Sequence, residues 1–225
     1  LEFDNCKKMI FELKNQNIHI QLLKQAILQE AIQGKLTEDW REKNSQLISG
    51  ENSSKNLLKK IKAEKARLVK EKKIKKEKAL APISKGEVPF ELPEGWIWCR
   101  LGEIIINSDN LNMHNELSSQ DLINYVDIDS IDNRLHVIRK PKLLPERALS
   151  SRARRALTKG QIMYYCVRTY LHNLSIVEKE KPNLIGSTGY ADFKCIFVEN
   201  KYIFCLLFSK YIENIYMDFM DGFNS

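Results

Sequence analysis

Residues 4–33 read DNCKKMIFELKNQNIHIQLLKQAILQEAIQ, a run with no glycine and no proline. Cys6, Ile10, Leu13, Ile20, Ile27 and Ala31 recur at spacings of three and four and form one heptad seam. Asn17 and Lys24 fall on the same seam at a-type positions, where a polar side chain costs stability but sets register and partner number. The spacing predicts a helix about 45 Å long at ~1.5 Å per residue. Leu22, Leu23, Leu28 and Ile32 widen the stripe beyond a strict seam. One helix cannot bury such a stripe alone, so it needs a second helix from this chain or from a partner. Gly34 stands where a C′ residue stops the helix.

Working outward, residues 37–54 are polar and serine-rich and predict a loop. A second helix is expected to begin near Ser54, with Leu57, Leu58, Ile61, Ala66, Leu68 and Val69 as its apolar side. Its end, from Lys70 to Lys78, is almost wholly charged. That run reads as a solvated helix end; the alternative is contact with a polyanion's phosphates. Pro82, Gly86, Pro89 and Pro93 break any helix, so residues 79–93 read as a linker with the domain boundary near 81. Two domains are expected: a helical spacer over 1–80 and a mixed α/β unit over 81–225. The fold class is α+β.

In the second unit, alternation predicts strands over 96–102, turning at Gly102, and 124–129; another follows the Asp132-Asn133 turn over 134–138, β-forming residues mark 161–167 and 174–177, and a further strand is expected over 192–199. Residues 202–216 shift to helical spacing, and the Gly-containing end at 221–225 reads as a loop. The unit reads as cut short, and a start at Leu1 rather than Met reads as a fragment.

The chain has 225 residues and a formal charge of +7, with hydrophobic residues at 43%, which suits a chain that buries a core. The densest apolar run, residues 202–208, is too short to cross a bilayer, and no secretory signal is visible at the start. Five scattered cysteines without C-x-x-C spacing argue against structural zinc and for reduced thiols, hence a cytoplasmic protein.

The charge is unevenly spread: +1 over residues 1–36, +7 over 37–80 and −1 over 81–225. Within the last, Arg139, Lys140, Lys142, Arg147, Arg152, Arg154, Arg155 and Lys159 stand against Glu146 alone. Five of those eight are arginine, whose planar fork pairs with phosphate or guanine. A focused basic stretch on a near-neutral unit points to a nucleic-acid surface. The competing reading is salt bridges to Asp121, Asp127, Asp129 and Asp132. Arg168, Tyr170, His172 and Asn173 follow an expected strand, where donors could reach base edges or phosphates; equally, Tyr170 could be core with Arg168 packed along it. Ser187, Thr188 and Tyr190 lie in a Gly-flanked loop, a weak signal.

Catalytic patterns are missing. There is no P-loop and no G-x-G, and no Asn-Pro-Pro-Tyr-like tetrapeptide of an amino-methyltransferase. Asp127, Asp129 and Asp132 lack the Gly and distal Glu of an EF-hand. Residues 178–181, EKEK, read as a charged turn before Pro182 rather than a nuclease E-x-K.

Residues 23–37 (LKQAILQEAIQGKLT), 58–65 (LKKIKAEK), 89–96 (PFELPEGW), Trp98 and 101–104 (LGEI) resemble the specificity subunit of type I restriction–modification enzymes. They match the junction between its helical conserved region and the start of a target recognition domain. Residues 151–155 (SRARR) and 159–163 (KGQIM) resemble its middle section more loosely, with Gln161 where an Asp usually sits. The resemblance implies a non-catalytic subunit reading double-stranded DNA with residues 81–225. Residues 1–80 would then be spacer and docking surface for modification subunits. The restriction subunit would join through the complex, and residues 4–33 could self-associate. It implies no cofactor in this chain: S-adenosylmethionine, ATP and magnesium belong to the partner subunits. It also implies a closing segment after Ser225 and a second recognition domain. The alternative is an adaptor or decoy that docks modification subunits without reading DNA.

Overall fold

A computed structural model describes residues 2–111, 121–166, 171 and 173–222. The α+β class holds. The long helix is α1, Glu2–Ile32, and it ends at Gly34 in the left-handed region with φ 76°. Only glycine suits that place for a second reason: a Cβ there would sit 2.6 Å from Pro93 Cγ. Arg41 Nη1 donates to the Gly34 carbonyl at 2.6 Å, holding the chain as it turns.

Residues 37–54 are not the open loop expected. They form two short helices, α2 (Glu38–Lys43) and α3 (Ser45–Ile48), with 3-10 turns either side. Their polar side chains cap one another locally; Asn44 Nδ2, for instance, donates to the Trp40 carbonyl at 2.7 Å. The second helix is α4, Ser54–Lys70, as the spacing predicts. It stops before most of the lysine run. Lys72 takes a left-handed φ of 57°, and the amides of Lys72 and Lys73 close on the carbonyls of Val69 and Leu68. This is a Schellman stop, reached here without glycine. The charged run therefore lies beyond the helix, with Lys75 paired to Asp109 at 2.8 Å and Glu77 to Lys65 at 2.8 Å.

Residues 96–100 form no strand, although they alternate. Trp98 packs edge-on against Phe90 at 5.0 Å and near Tyr211 at 6.2 Å, while Arg41 lies over Trp96 at 5.8 Å. The alternation reports packing on two sides, without a neighbouring strand. The Glu103 carboxylate accepts the Arg100 amide at 2.9 Å and starts the one-turn helix α5, Leu101–Ile104.

Ten strands follow. β1 (Ile105–Asn107), β10 (Tyr190–Cys195), β7 (Ile162–Tyr165) and β8 (Leu174–Ile176) make one antiparallel sheet in the order β1-β10-β7-β8. β5 (Lys142–Pro145), β2 (Leu122–Val126), β9 (Leu184–Ser187) and β6 (Ala153–Ala156) make a second, in the order β5-β2-β9-β6. Its β2 and β9 run parallel; its other pairs are antiparallel. β3 (Ile131–Asp132) and β4 (Val137–Ile138) form a small hairpin. It is shorter than expected because Asp132 accepts the amides of Arg134 and Leu135, and His136 takes φ 58°. β10 starts two residues before the expected Asp192 and ends at Cys195, ahead of Phe197 at φ 55°. The single helix expected over 202–216 is two: α6 (Asn200–Leu207) and α7 (Lys210–Gly222). The break falls at buried Ser209, whose hydroxyl donates to the Leu206 carbonyl at 2.6 Å. Residues 221 and 222 thus belong to α7 rather than to a loop.

The side-chain period of two builds the layers. Ile162 and Tyr164 of β7 face a core shared with Ile104, Ile203, Leu207 and Ile61 of α4. Met163, between them, faces the second sheet with Val126, Leu157, Leu184 and Tyr190. Ile123, Tyr125, Ala153 and Ile185 form a third cluster on the second sheet's far face. The order is helices, first sheet, second sheet. Ile61 lies before position 81, so α4 shares its core with the sheets. α1 contributes little to these layers: Ile10 and Leu13 of its seam stay 54% and 58% exposed. Its contact is a corner, where Gln25 bonds the Phe208 carbonyl at 3.3 Å and the Lys210 amide at 3.1 Å.

Candidate nucleic-acid interface

The basic stretch of residues 139–159 runs from the end of β4 through β5 and β6 to the turn before β7. The tertiary structure divides it into three groups. Arg139 pairs with Asp132 at 3.0 Å, and Lys142 lies 2.5 Å from Asp127 and 3.5 Å from Asp129. Burial opposes the charge of Asp127, but hydrogen bonds from Lys142 and Ser130 outweigh it and hold the carboxyl below its ordinary value. The same bond raises the Lys142 ammonium. For these two side chains the salt-bridge reading describes what is present.

Lys140, Arg147, Arg152, Arg154 and Lys159 are exposed, and no carboxylate of the described residues forms an ion pair with them. Arg152 and Arg154 flank Ala153, which fills the third cluster. Solvated guanidinium groups of this kind are available to a polyanion without first breaking an internal pair.

Arg155 turns inward. The pairing of β6 with β9 shifts register between Ala153 and Arg155, so Arg154 occupies a bulge. Ordinary alternation would put Ala153 and Arg155 on one face; the extra residue sends them to opposite faces. Ala153 faces the far cluster, whereas Arg155 reaches the first sheet, with Nε 3.5 Å from Asp192 Oδ2 and Nη1 donating to the Ser108 carbonyl. The Asp192 carboxylate has no exposed surface, and neither of its oxygens has a hydrogen-bond partner. Burial pushes its pKa up to about 7, against the pull of Arg155. Gln161 donates to Ser108 Oγ at 2.5 Å and accepts the Thr158 amide, tying the turn before β7 to the same place.

Asn173 is buried, and its carbonyl accepts the Tyr165 amide at 3.0 Å. Arg168, Tyr170 and His172 lie outside the described residues. The Gly-flanked loop expected at Ser187, Thr188 and Tyr190 is only a two-residue turn: Ser187 ends β9 and Tyr190 begins β10, both buried by strand pairing, and Thr188 between them is half-buried. Sequence reasoning did not single out Asp192. The available signal was an acid placed between apolar neighbours in the strand YADFKC.

A helical arm on a head of two stacked sheets, one of them rimmed by exposed arginines, makes this an α+β module. Part of this fold is shared with solved HsdS subunits. The chain aligns with the crystal structure of the HsdS subunit from Thermoanaerobacter tengcongensis at TM-score 0.52 and 31% identity, over 56% of this chain and 32% of that one. A structure describing complex assembly and conformational transition of the type I R-M system gives the same values. Among curated proteins, the Escherichia coli EcoEI specificity subunit is 54% identical over 90 residues, 40% of this chain and 14% of that protein. The E. coli EcoAI specificity subunit is 55% identical over 85 residues, 38% of this chain and 13% of that protein. No family model matches the chain. The resemblance to type I specificity subunits is borne out as a likeness to part of them: the matches span about a seventh of the curated relatives' length. Among the described residues, no helix is long and apolar enough to cross a membrane.

Proposed function

We propose that the chain is a sequence-reading subunit, or part of one, in a type I restriction–modification complex. In this reading residues 81–225 bind double-stranded DNA through the rim carrying Lys140, Arg147, Arg152, Arg154 and Lys159. The chain catalyses nothing itself; it directs adenine methylation and restriction by partner subunits that use S-adenosylmethionine, ATP and magnesium. The observation that carries the reading is this unpaired basic rim on a fold similar to specificity subunits. Phosphate contacts from the rim would supply affinity and fix register, leaving base-edge contacts to specify sequence.

The exposed seam of α1 supports docking. A helix with Ile10, Leu13, Ile20 and Ile27 in solvent has an apolar stripe without a partner among the described residues. Modification subunits, or a second copy pairing through residues 4–33, would cover it. This same observation favours the second reading, an adaptor or decoy that docks modification subunits and reads no DNA.

Selection from a randomised duplex library separates the two. The chain is mixed with its modification subunit at ~150 mM salt, where loose phosphate binding is already reduced. A short enriched motif, or its two-fold repeat, is the expected result. Co-elution of the two proteins with no enriched motif would refute DNA reading and leave the adaptor.

A further inference from the structure

Arg155 and Asp192 are the one place where the two sheets meet through charge rather than through apolar packing among the described residues. Arg155 arrives from β6 because of the bulge at Arg154; Asp192 arrives from β10. The Ser108 amide donates to the Asp192 carbonyl at 2.9 Å, and the Ser108 carbonyl accepts Arg155 Nη1, so one residue holds both partners. Just outside this knot, the Arg154 carbonyl accepts the Leu111 amide at 2.7 Å and the Arg152 carbonyl accepts the Thr188 amide at 2.8 Å. The edge strand that carries Arg154 is thus fastened at its half-buried, inward-turned Arg155.

The fastening is poor as a source of stability. A carboxylate without exposed surface or a hydrogen bond loses its hydration, and one guanidinium nitrogen at 3.5 Å does not replace it. What the pair does supply is position. It fixes which way the bulge points, and therefore where Arg152 and Arg154 stand. The other titratable groups near Asp192 are the Cys166 thiol after β7 and the Tyr190 phenol on β10 itself, both of which burial keeps neutral near pH 7. Among the described residues, Arg155 is the sole cation interacting with it.

We propose that Arg155 and Asp192 form a proton-sensitive latch between the two sheets, which positions Arg152 and Arg154 on β6 for DNA and loosens when Asp192 is protonated. The proposal rests on the reading that the β6 rim meets DNA. Arg155 is on this account a positioning residue rather than a phosphate contact. Loss of the carboxylate's charge leaves Arg155 with the Ser108 carbonyl alone, and the bulged edge is freed to fray while Asp192 stays buried on β10. A buried carboxyl without Arg155 holds its proton more tightly, so protonation favours the frayed edge even though it favours the folded chain over the unfolded one.

The test uses the full chain and two readouts. The first is hydrogen exchange at the Leu111 and Thr188 amides at pH 8 and pH 6, corrected for intrinsic exchange rates. The second is anisotropy of a fluorescein-labelled random-sequence duplex at the same two pH values and low salt. Protection of both amides should fall about tenfold from pH 8 to pH 6. Duplex affinity should fall with it by about threefold, opposite to the rise that protonated histidines would cause. Asp192→Asn should show the low protection at both pH values. Equal protection of the wild-type amides at pH 8 and pH 6 overturns the latch without any variant being needed. Protection that changes while duplex affinity does not fall overturns the coupling to DNA. An unchanged affinity in Arg154→Ala refutes the underlying reading of the rim, and does so separately, because the exchange result is independent of DNA.

Discussion

Replacing Asp192 by Asn changes how the stability of the whole chain depends on pH, and the sign follows from burial. The folded carboxyl titrates at about 7, above its ordinary 3.8, because burial disfavours the charged form more than Arg155 restores it. Between those values the folded chain holds a proton that the unfolded chain has released. Stability from this group is therefore fully present below about pH 4 and is lost as pH rises toward 7, with no further loss above. The shift corresponds to about 4 kcal/mol across the window, with a steepest slope of about 1.4 kcal/mol per pH unit. That is a large share of the ~5–15 kcal/mol of a whole domain. The carboxyls held low, such as Glu87 at about 2 beside Arg100, act in the opposite direction, but only at more acid pH. Histidines contribute equally to both proteins and cancel in the difference. Urea unfolding of wild type and Asp192→Asn at pH 5, 6, 7 and 8 reads the effect directly, provided the m-value is unchanged. Wild type should lose about 2 kcal/mol relative to the variant between pH 5 and pH 7. A difference that stays constant across that range would refute the reasoning, because it would mean that Asp192 is already ionised at pH 5.

Ile61→Ala should cost about 2–5 kcal/mol by urea unfolding, since Ile61 is 1% exposed in the core that joins α4 to Ile104, Ile203 and Leu207. Gly34→Ala should lower the thermal midpoint, at about 1–3 kcal/mol: φ is 76° and the new Cβ would meet Pro93. Arg152→Ala and Arg154→Ala should each reduce the slope of log affinity against log salt by about 0.9 in duplex titrations. Arg139→Ala, whose guanidinium already pairs with Asp132, should change that slope less.

Much of the architecture was legible in local pattern. The heptad spacing of residues 6–31 identifies α1 because a helix presents every third and fourth residue on one side whatever surrounds it. Gly34 marks its end for an equally local reason, backbone freedom. β2 follows from alternation, and β7 and β8 from their richness in β-forming residues, which suits strands buried on both sides. Where alternation misled, at Trp96 and Trp98, two-sided aromatic packing produced the same pattern without a neighbouring strand. The split between α6 and α7 was not legible, because the break rests on the buried hydroxyl of Ser209, and a serine in a helical pattern carries no such instruction by itself.

For the candidate site, the sequence by itself determined the charge: eight basic residues against one acid over residues 139–159, on a unit whose total is near zero. It also carried a likeness to specificity subunits, read from short runs in residues 23–104, and curated specificity subunits match 38–40% of the chain. Only the tertiary structure decided which of those charges are spent. Arg139 and Lys142 meet carboxylates brought near by the β3–β4 hairpin and by β2, and Arg155 meets one from a strand nearly forty residues away in the chain. The direction of Arg155 depends on a single unpaired residue in β6, and a bulge is a property of two strands' register rather than of either strand's composition. Charge is additive along a chain and can be read from it. Pairing depends on distances between residues remote in sequence, and those exist only once the sheets have formed.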